Sequence, residues 1–158
     1  MDAQKKITGT WRGLYDYGPS DKMPKREPVP FTLILKQGWF GRFSGTVTDD
    51  ARNGMPGTGV IEGYLSYPRI EFYKKMPVSY VATQDGRNVS LRDFLIEQGH
   101  ICNHDIPHRP IFYQGEFSDL SHAQGAWIIE AGPLSLGDGR VVNFAEAKGT
   151  WKIEADTA

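Results

Sequence analysis

The sequence predicts an all-β protein, a closed antiparallel up-and-down β-barrel of about eight strands with one short helix. Three observations carry this expectation. Glycine and proline supply 28 of the 158 residues, and 4 Trp, 7 Tyr and 8 Phe accompany them. A usual chain holds about 12% of the first two; an excess beside many aromatics suits short strands and tight turns and suits helical bundles poorly. Apolar and polar residues alternate at period two through most of the chain, as half-buried strands require. Glycines share a face with aromatic residues on strands near both chain ends, as expected where a sheet curls and closes. The length fits one domain spanning residues 1–158.

The first strand covers 7–17, with Ile7, Gly9, Trp11, Gly13, Tyr15 and Tyr17 on the inward face. Gly18-Pro19 ends it, and a Pro/Lys-rich stretch leads to Pro30. Strand two, 31–37, turns Phe31, Leu33 and Leu35 inward. Strand three, 39–49, alternates Trp39, Gly41, Phe43, Gly45 and Val47 against Phe40, Arg42, Ser44, Thr46 and Thr48. Asn53-Gly54 and Pro56-Gly57 are turn signals. Strand four, 58–66, faces Gly59, Ile61, Gly63 and Leu65 inward; strand five, 69–76, does so with Ile70, Phe72, Lys74 and Met76. A weaker strand follows at 78–83. Ser90 with Asp93 three residues on is a capping box, and Leu91, Phe94 and Leu95 form a helical stripe that Gly99 ends, so 91–98 is a short helix. Strands at 111–117 (Ile111, Tyr113, Gly115 and Phe117 inward) and 125–131 (Gly125, Trp127 and Ile129 inward) follow. A short strand at 141–144 and a last one at 146–154 complete the set.

A Gly-x-Trp string occurs three times, at Gly9-Thr10-Trp11, Gly125-Ala126-Trp127 and Gly149-Thr150-Trp151. The first and last lie near the two chain ends, so the terminal strands are matched to pair and leave no open edge. Ile7-Thr8-Gly9-Thr10-Trp11 resembles the opening strand of the avidin family, and Gly-x-Trp on strand one also resembles the start of lipocalins. The runs 43–50, 61–63 and 70–74 are similar to small bacterial and fungal lipocalin-like barrels, which mostly lack an assigned activity. The resemblance covers roughly 7–76 and 111–154 and implies a calycin-type barrel. It does not imply biotin binding. Arg12-Gly13-Leu14-Tyr15 follows Trp11 in place of the Asn and Ser pattern, and the last strand offers Lys152 and Glu154 in place of an aspartate.

A net charge of −1 argues against a nucleic-acid partner held by a basic field. No apolar run is long enough to span a bilayer, so no membrane partner is expected. One cysteine, Cys102, and an N-terminus without an apolar leader segment make the cytoplasm the expected location. No phosphate loop, dinucleotide fingerprint or Ser-His-Asp pattern is present, so no cofactor is expected.

The barrel interior is the expected site. Trp11, Tyr15, Tyr17, Phe43, Phe72, Lys74, Tyr113, Trp127 and Trp151 are the candidate ligand-binding residues. Lys74 is the anomaly, because a buried ammonium is costly unless paired. Lying just before Pro77, it is expected to snorkel to solvent; otherwise it meets a carboxylate or a ligand anion. His100, Cys102, His104 and His108 have metal-like side chains, but an extended chain spreads the first three over about 13 Å, and no metal site is expected. Asp49-Asp50 with Glu62 is weighed as a cation site, and the pair of aspartates reads as an ordinary turn entry. His122 is placed in a turn at 119–124. The expected function is binding of a small apolar or aromatic molecule. The alternatives are a cofactor-independent cyclase or isomerase using Lys74, Tyr15 or Tyr113, and a filled barrel acting as an interaction module or homo-oligomer unit.

Overall fold

A computed structural model describes residues 7–17, 27–50, 57–82, 87–102, 104–135, 141–144 and 146–156. In chain order its elements are Gly9–Tyr17 (β1), Val29–Gln37 (β2), Arg42–Asp49 (β3), Thr58–Ser66 (β4), Arg69–Lys75 (β5), Tyr80–Ala82 (β6), Asn88–Ser90 (β7), Leu91–Glu97 (α1), Ile111–Asp119 (β8), His122–Ile129 (β9), Gly132–Ser135 (β10), Val141–Phe144 (β11) and Ala147–Ala155 (β12). Eight strands close into an antiparallel barrel in the order β1-β12-β9-β8-β5-β4-β3-β2. The terminal strands pair as their matched patterns predict, with Tyr15 opposite Trp151 and Tyr17 opposite Gly149. Two excursions interrupt the meander: β6, β7 and α1 between β5 and β8, and the β10–β11 hairpin between β9 and β12.

The Gly-x-Trp strings explain themselves in the register. Trp127 lies opposite Gly149, which clears space for its indole, and Trp151 lies opposite Gly125, where glycine allows close approach of the β8 backbone at Gln114 and Gly115. A Cβ on Gly149 would sit 2.7 Å from the Trp127 ring. The Trp151 indole N–H is shared between the carbonyls of Gln114 (3.2 Å) and Ala126 (3.0 Å), beside the point where Gly115 faces Gly125. Trp11 donates to the Ile7 carbonyl at 2.8 Å and Trp127 to that of Asp16 at 3.0 Å. Buried indole N–H groups are thus satisfied by backbone.

The two ends of the barrel differ. At one end the turns are tight: 38–41 joins β2 to β3, 67–68 joins β4 to β5, and 120–121 joins β8 to β9. The opposite end carries all the long connections, including both excursions. There α1 begins at Ser90, whose side chain accepts from the Asp93 amide at 3.1 Å, and Gly99 stands at φ 89°. Leu91 and Leu95 pack with Ile106 in a small second core.

Several expectations are corrected. The third strand starts at Arg42, not Trp39. The Gly38 amide bonds the Arg42 carbonyl at 2.7 Å, so 38–41 is a reversal, and Trp39 is 83% exposed rather than inward. β9 begins at His122, which therefore belongs to a strand and not to a turn. β7 and β10 are additional short strands, each paired with a neighbour close in sequence. The turn signals Gly18-Pro19 and Asn53-Gly54 lie outside the described residues.

Candidate functional site

The inward side chains form two zones. Through the middle and the tight-turn end they are aromatic and aliphatic. Phe72 stacks on Tyr113 with centroids 4.7 Å apart, Trp151 meets both edge-on, and Phe43 meets Phe72. Trp11 packs on Phe117 at the tight-turn end. The second zone lies under the long connections and is polar. Lys74 Nζ sits 2.7 Å from Asp49 Oδ1, and the Tyr15 hydroxyl donates to Asp49 Oδ2 at 2.9 Å. The side chains of Lys74 and Asp49 are only 2% and 0% exposed. The ammonium also lies 4.5 Å from the centroid of the Tyr15 ring and 5.7 Å from that of Phe31.

The register creates this cluster. Asp49 is the last residue of β3, opposite Phe31, and Phe31 is opposite Gly13 on β1. A Cβ at Gly13 would collide with Phe31, so glycine there makes room for the ring. Lys74 lies two strands away on β5, opposite Ile61 and Ile111. Its alternation with Ile70, Phe72 and Met76 leaves the side chain no outward option. The expected snorkelling is therefore corrected: Lys74 stays inside because Asp49 meets it there.

Burial dominates the electrostatics. Desolvation holds the Lys74 ammonium below its ordinary value, opposed by the Asp49 charge. Burial, with the Asp49 charge, pushes the Tyr15 and Tyr113 phenols well above theirs. His108, half-buried in the connection above the barrel, is also pushed down by burial, and the Lys74 and Asp49 charges reach it. Its amide bonds the Met76 carbonyl at 3.2 Å and its Nδ1 meets the Arg109 carbonyl at 2.6 Å. An ammonium, a carboxylate and a phenol in one hydrogen-bonded set can hold a polar group and pass protons among themselves.

Of the sequence candidates, Tyr15, Lys74, Trp127 and half-buried Tyr17 surround the polar zone, with Tyr17 edge-on to Trp127 at 5.3 Å. Trp11, Phe43, Phe72, Tyr113 and Trp151 belong to the aromatic fill. Asp49 is the member that sequence reasoning missed. Carrying the alternation of Phe43, Gly45 and Val47 one step further places it on the inward face. Glu62 stands on the outer wall, 3.3 Å from Lys75, so it forms no cation site with Asp49. His100, Cys102, His104 and His108 do not converge: the Cys102 thiol bonds the His104 carbonyl at 3.3 Å, His104 is exposed, and His108 turns toward the barrel. Among the described residues no group of three or more His, Cys, Asp or Glu could hold a metal ion, and no helix is long and apolar enough to cross a membrane. Grooves of about 450 to 690 Å³ open along the barrel wall, one of them lined in part by Tyr15, and neither Lys74 nor Asp49 lines them.

No protein-family model, curated protein or solved structure matches the chain.

Proposed function

We propose that the protein binds a small, mostly apolar or aromatic molecule at the long-loop end of the barrel, against Tyr15, Asp49 and Lys74. One observation carries the reading. A fully buried ion pair with a hydrogen-bonded phenol sits in an otherwise apolar interior, where apolar residues of like volume would serve stability as well or better. Lys74 and Asp49 neutralise one another, so the matching head group is neutral, a carbonyl or hydroxyl that accepts from a remaining Lys74 N–H. The aromatic rings of Tyr17, Phe31 and Trp127 supply an apolar surround. Membership among lipocalin-like and avidin-like calycin barrels is part of the proposal, supported by the eight-strand closure and the Gly-x-Trp opening strand. So is a reducing, cytoplasmic setting, supported by the single thiol.

A second reading, a cofactor-independent cyclase or isomerase of a hydrophobic metabolite, is favoured by the Tyr15 hydroxyl resting on a carboxylate that also holds an ammonium. Native mass spectrometry of freshly purified protein tests both. Binding predicts a co-purified small molecule in wild type that is absent when Lys74→Met and Asp49→Leu are combined. Recovery of a rearranged product from an added candidate favours the enzyme. Wild type without adduct, and without thermal shift across a panel of neutral aromatic ketones and phenols, overturns both.

A further inference from the structure

The tight-turn end of the barrel carries a second anomaly, independent of the ligand reading. Trp39 and Phe40, at the tip of the β2–β3 turn, are 83% and 89% exposed. Phe40 stands at φ 55°, the left-handed region where Gly or Asn is favoured and a bulky aromatic is strained. A tip that needs only turn residues therefore holds two large rings, one of them in an unfavourable backbone conformation, and both in water. Tyr67 and Leu120 are exposed at the neighbouring turns. Backbone bonds tie these turns into one arc: the Leu65 amide to the Gly41 carbonyl and the Phe117 amide to the Pro68 carbonyl, both at 2.7 Å, and the Ala155 amide to the Ser121 carbonyl at 2.8 Å.

Charge is divided along that arc. Lys36, Arg42 and Arg69, all exposed, flank the aromatic tips of β2–β5, with Glu71 in the row of Arg42 and Glu116 across from Arg69. Asp119, Glu154 and Asp156 gather on the β8–β12 side, where Arg12, opposite Glu154, bonds Asp156 at 3.0 Å and His122 lies 2.9 Å from Asp119. Exposed Trp and Phe beside Lys and Arg match the headgroup level of an anionic bilayer, where rings sink past the phosphates and cations stay with them. A fluid surface accepts separate protruding tips without a shaped complement. A chain without a spanning segment can still dock in this way.

We propose that the Trp39-Phe40 hairpin tip inserts into the headgroup layer of an anionic lipid surface, with Lys36, Arg42 and Arg69 contacting the phosphates. The test uses a built-in reporter. Trp11, Trp127 and Trp151 are buried, so the difference in emission between wild type and Trp39→Ser isolates the Trp39 signal. The full chain is mixed with vesicles of phosphatidylcholine alone or of phosphatidylcholine with phosphatidylserine. The proposal expects co-sedimentation with the anionic vesicles, a blue shift of Trp39 emission and quenching by brominated acyl chains. Trp39→Ser and Phe40→Ser, read by co-sedimentation, each weaken partitioning by at least about tenfold. Lys36→Glu with Arg42→Glu removes the preference for phosphatidylserine. Unchanged circular dichroism shows that the variants fold. The proposal is overturned by absence of partitioning, by partitioning without the emission shift, by equal partitioning of the tip variants, or by self-association that covers Trp39 in sedimentation velocity without lipid.

Discussion

Replacing Asp49 with Asn tests whether the polar zone is a true buried ion pair. The substitution keeps the shape and removes the charge. Lys74, 2% exposed, is then a buried cation without its counter-charge. Breaking such a pair by removing one partner costs about 3–5 kcal/mol. For a domain of this size, 1 kcal/mol moves Tm by about 2–4 °C, so Asp49→Asn lowers Tm by roughly 6–20 °C. The matched control is the apolar replacement of all three members, Tyr15→Phe with Asp49→Leu and Lys74→Met. It leaves no orphaned hydroxyl or charge and lies between neutral and about 4 kcal/mol more stable than wild type. Urea and thermal denaturation of the three proteins provide the comparison. A Tm for Asp49→Asn within about 2 °C of wild type would mean that Lys74 finds solvent or another partner. A triple variant that falls as far as the single one would mean that the cluster is needed for packing. Either result removes the reason for placing a ligand there.

Four further outcomes are expected. Tyr15 and Tyr113 keep their protons in the fold above the ordinary phenol value of 10.0, so stability is full below that pH and falls above it, by about 1.4 kcal/mol per pH unit for each group. Lys74 acts oppositely, its burial penalty easing as pH rises from its lowered value toward 10.5, and Lys74→Met abolishes that rise in urea titrations. Gly125→Ala drives a Cβ into the Gln114 carbonyl and the Gly115 backbone and costs about 1–3 kcal/mol or more, whereas Gly132→Ala, with open space around it, changes the urea midpoint little. Phe40→Gly relieves the left-handed strain and raises stability by roughly 0.5–1 kcal/mol while removing the inserted ring; an unchanged or lowered midpoint would mean the tip is unstrained.

The barrel itself was legible because its code is local. Period two puts Trp11 and Tyr15, Phe43 and Val47, or Tyr113 and Phe117 on one face whatever the register, and register then brings glycines opposite indoles. The polar zone was legible only in part. Lys74 announced itself by interrupting an apolar stripe, but its partner belongs to β3, more than twenty positions earlier in the chain, and alternation cannot say which strands end up close. Asp49 also looked ordinary, since an aspartate pair before a Gly/Pro-rich stretch is what a turn uses. Trp39 misled for a related reason. Its spacing from Gly41 and Phe43 continues the inward stripe, and only the Gly38–Arg42 hydrogen bond shows that the chain has already reversed.

The same interdigitation that closes the barrel also limits where function can reside. Opposite each of Gly125 and Gly149 stands an indole, and Gly63 is pressed by the Phe72 and Phe43 side chains. Glycine at 63 and 149 lets aromatic rings pack directly against the barrel wall in the middle of the lumen. Departures from pure packing therefore collect at the two ends. At the long-loop end the interior departs by burying charge, and at the tight-turn end the surface departs by exposing rings. The two departures cost stability in different ways, one by desolvating Lys74 and one by straining Phe40. Their costs are separable: the apolar triple variant relieves the first without touching the second, and Phe40→Gly does the reverse. Sites this far apart with no shared partner are expected to add within about 0.5 kcal/mol. Additive stabilisation by the two sets, with ligand retention lost only in the first and vesicle binding only in the second, would assign each end its own role.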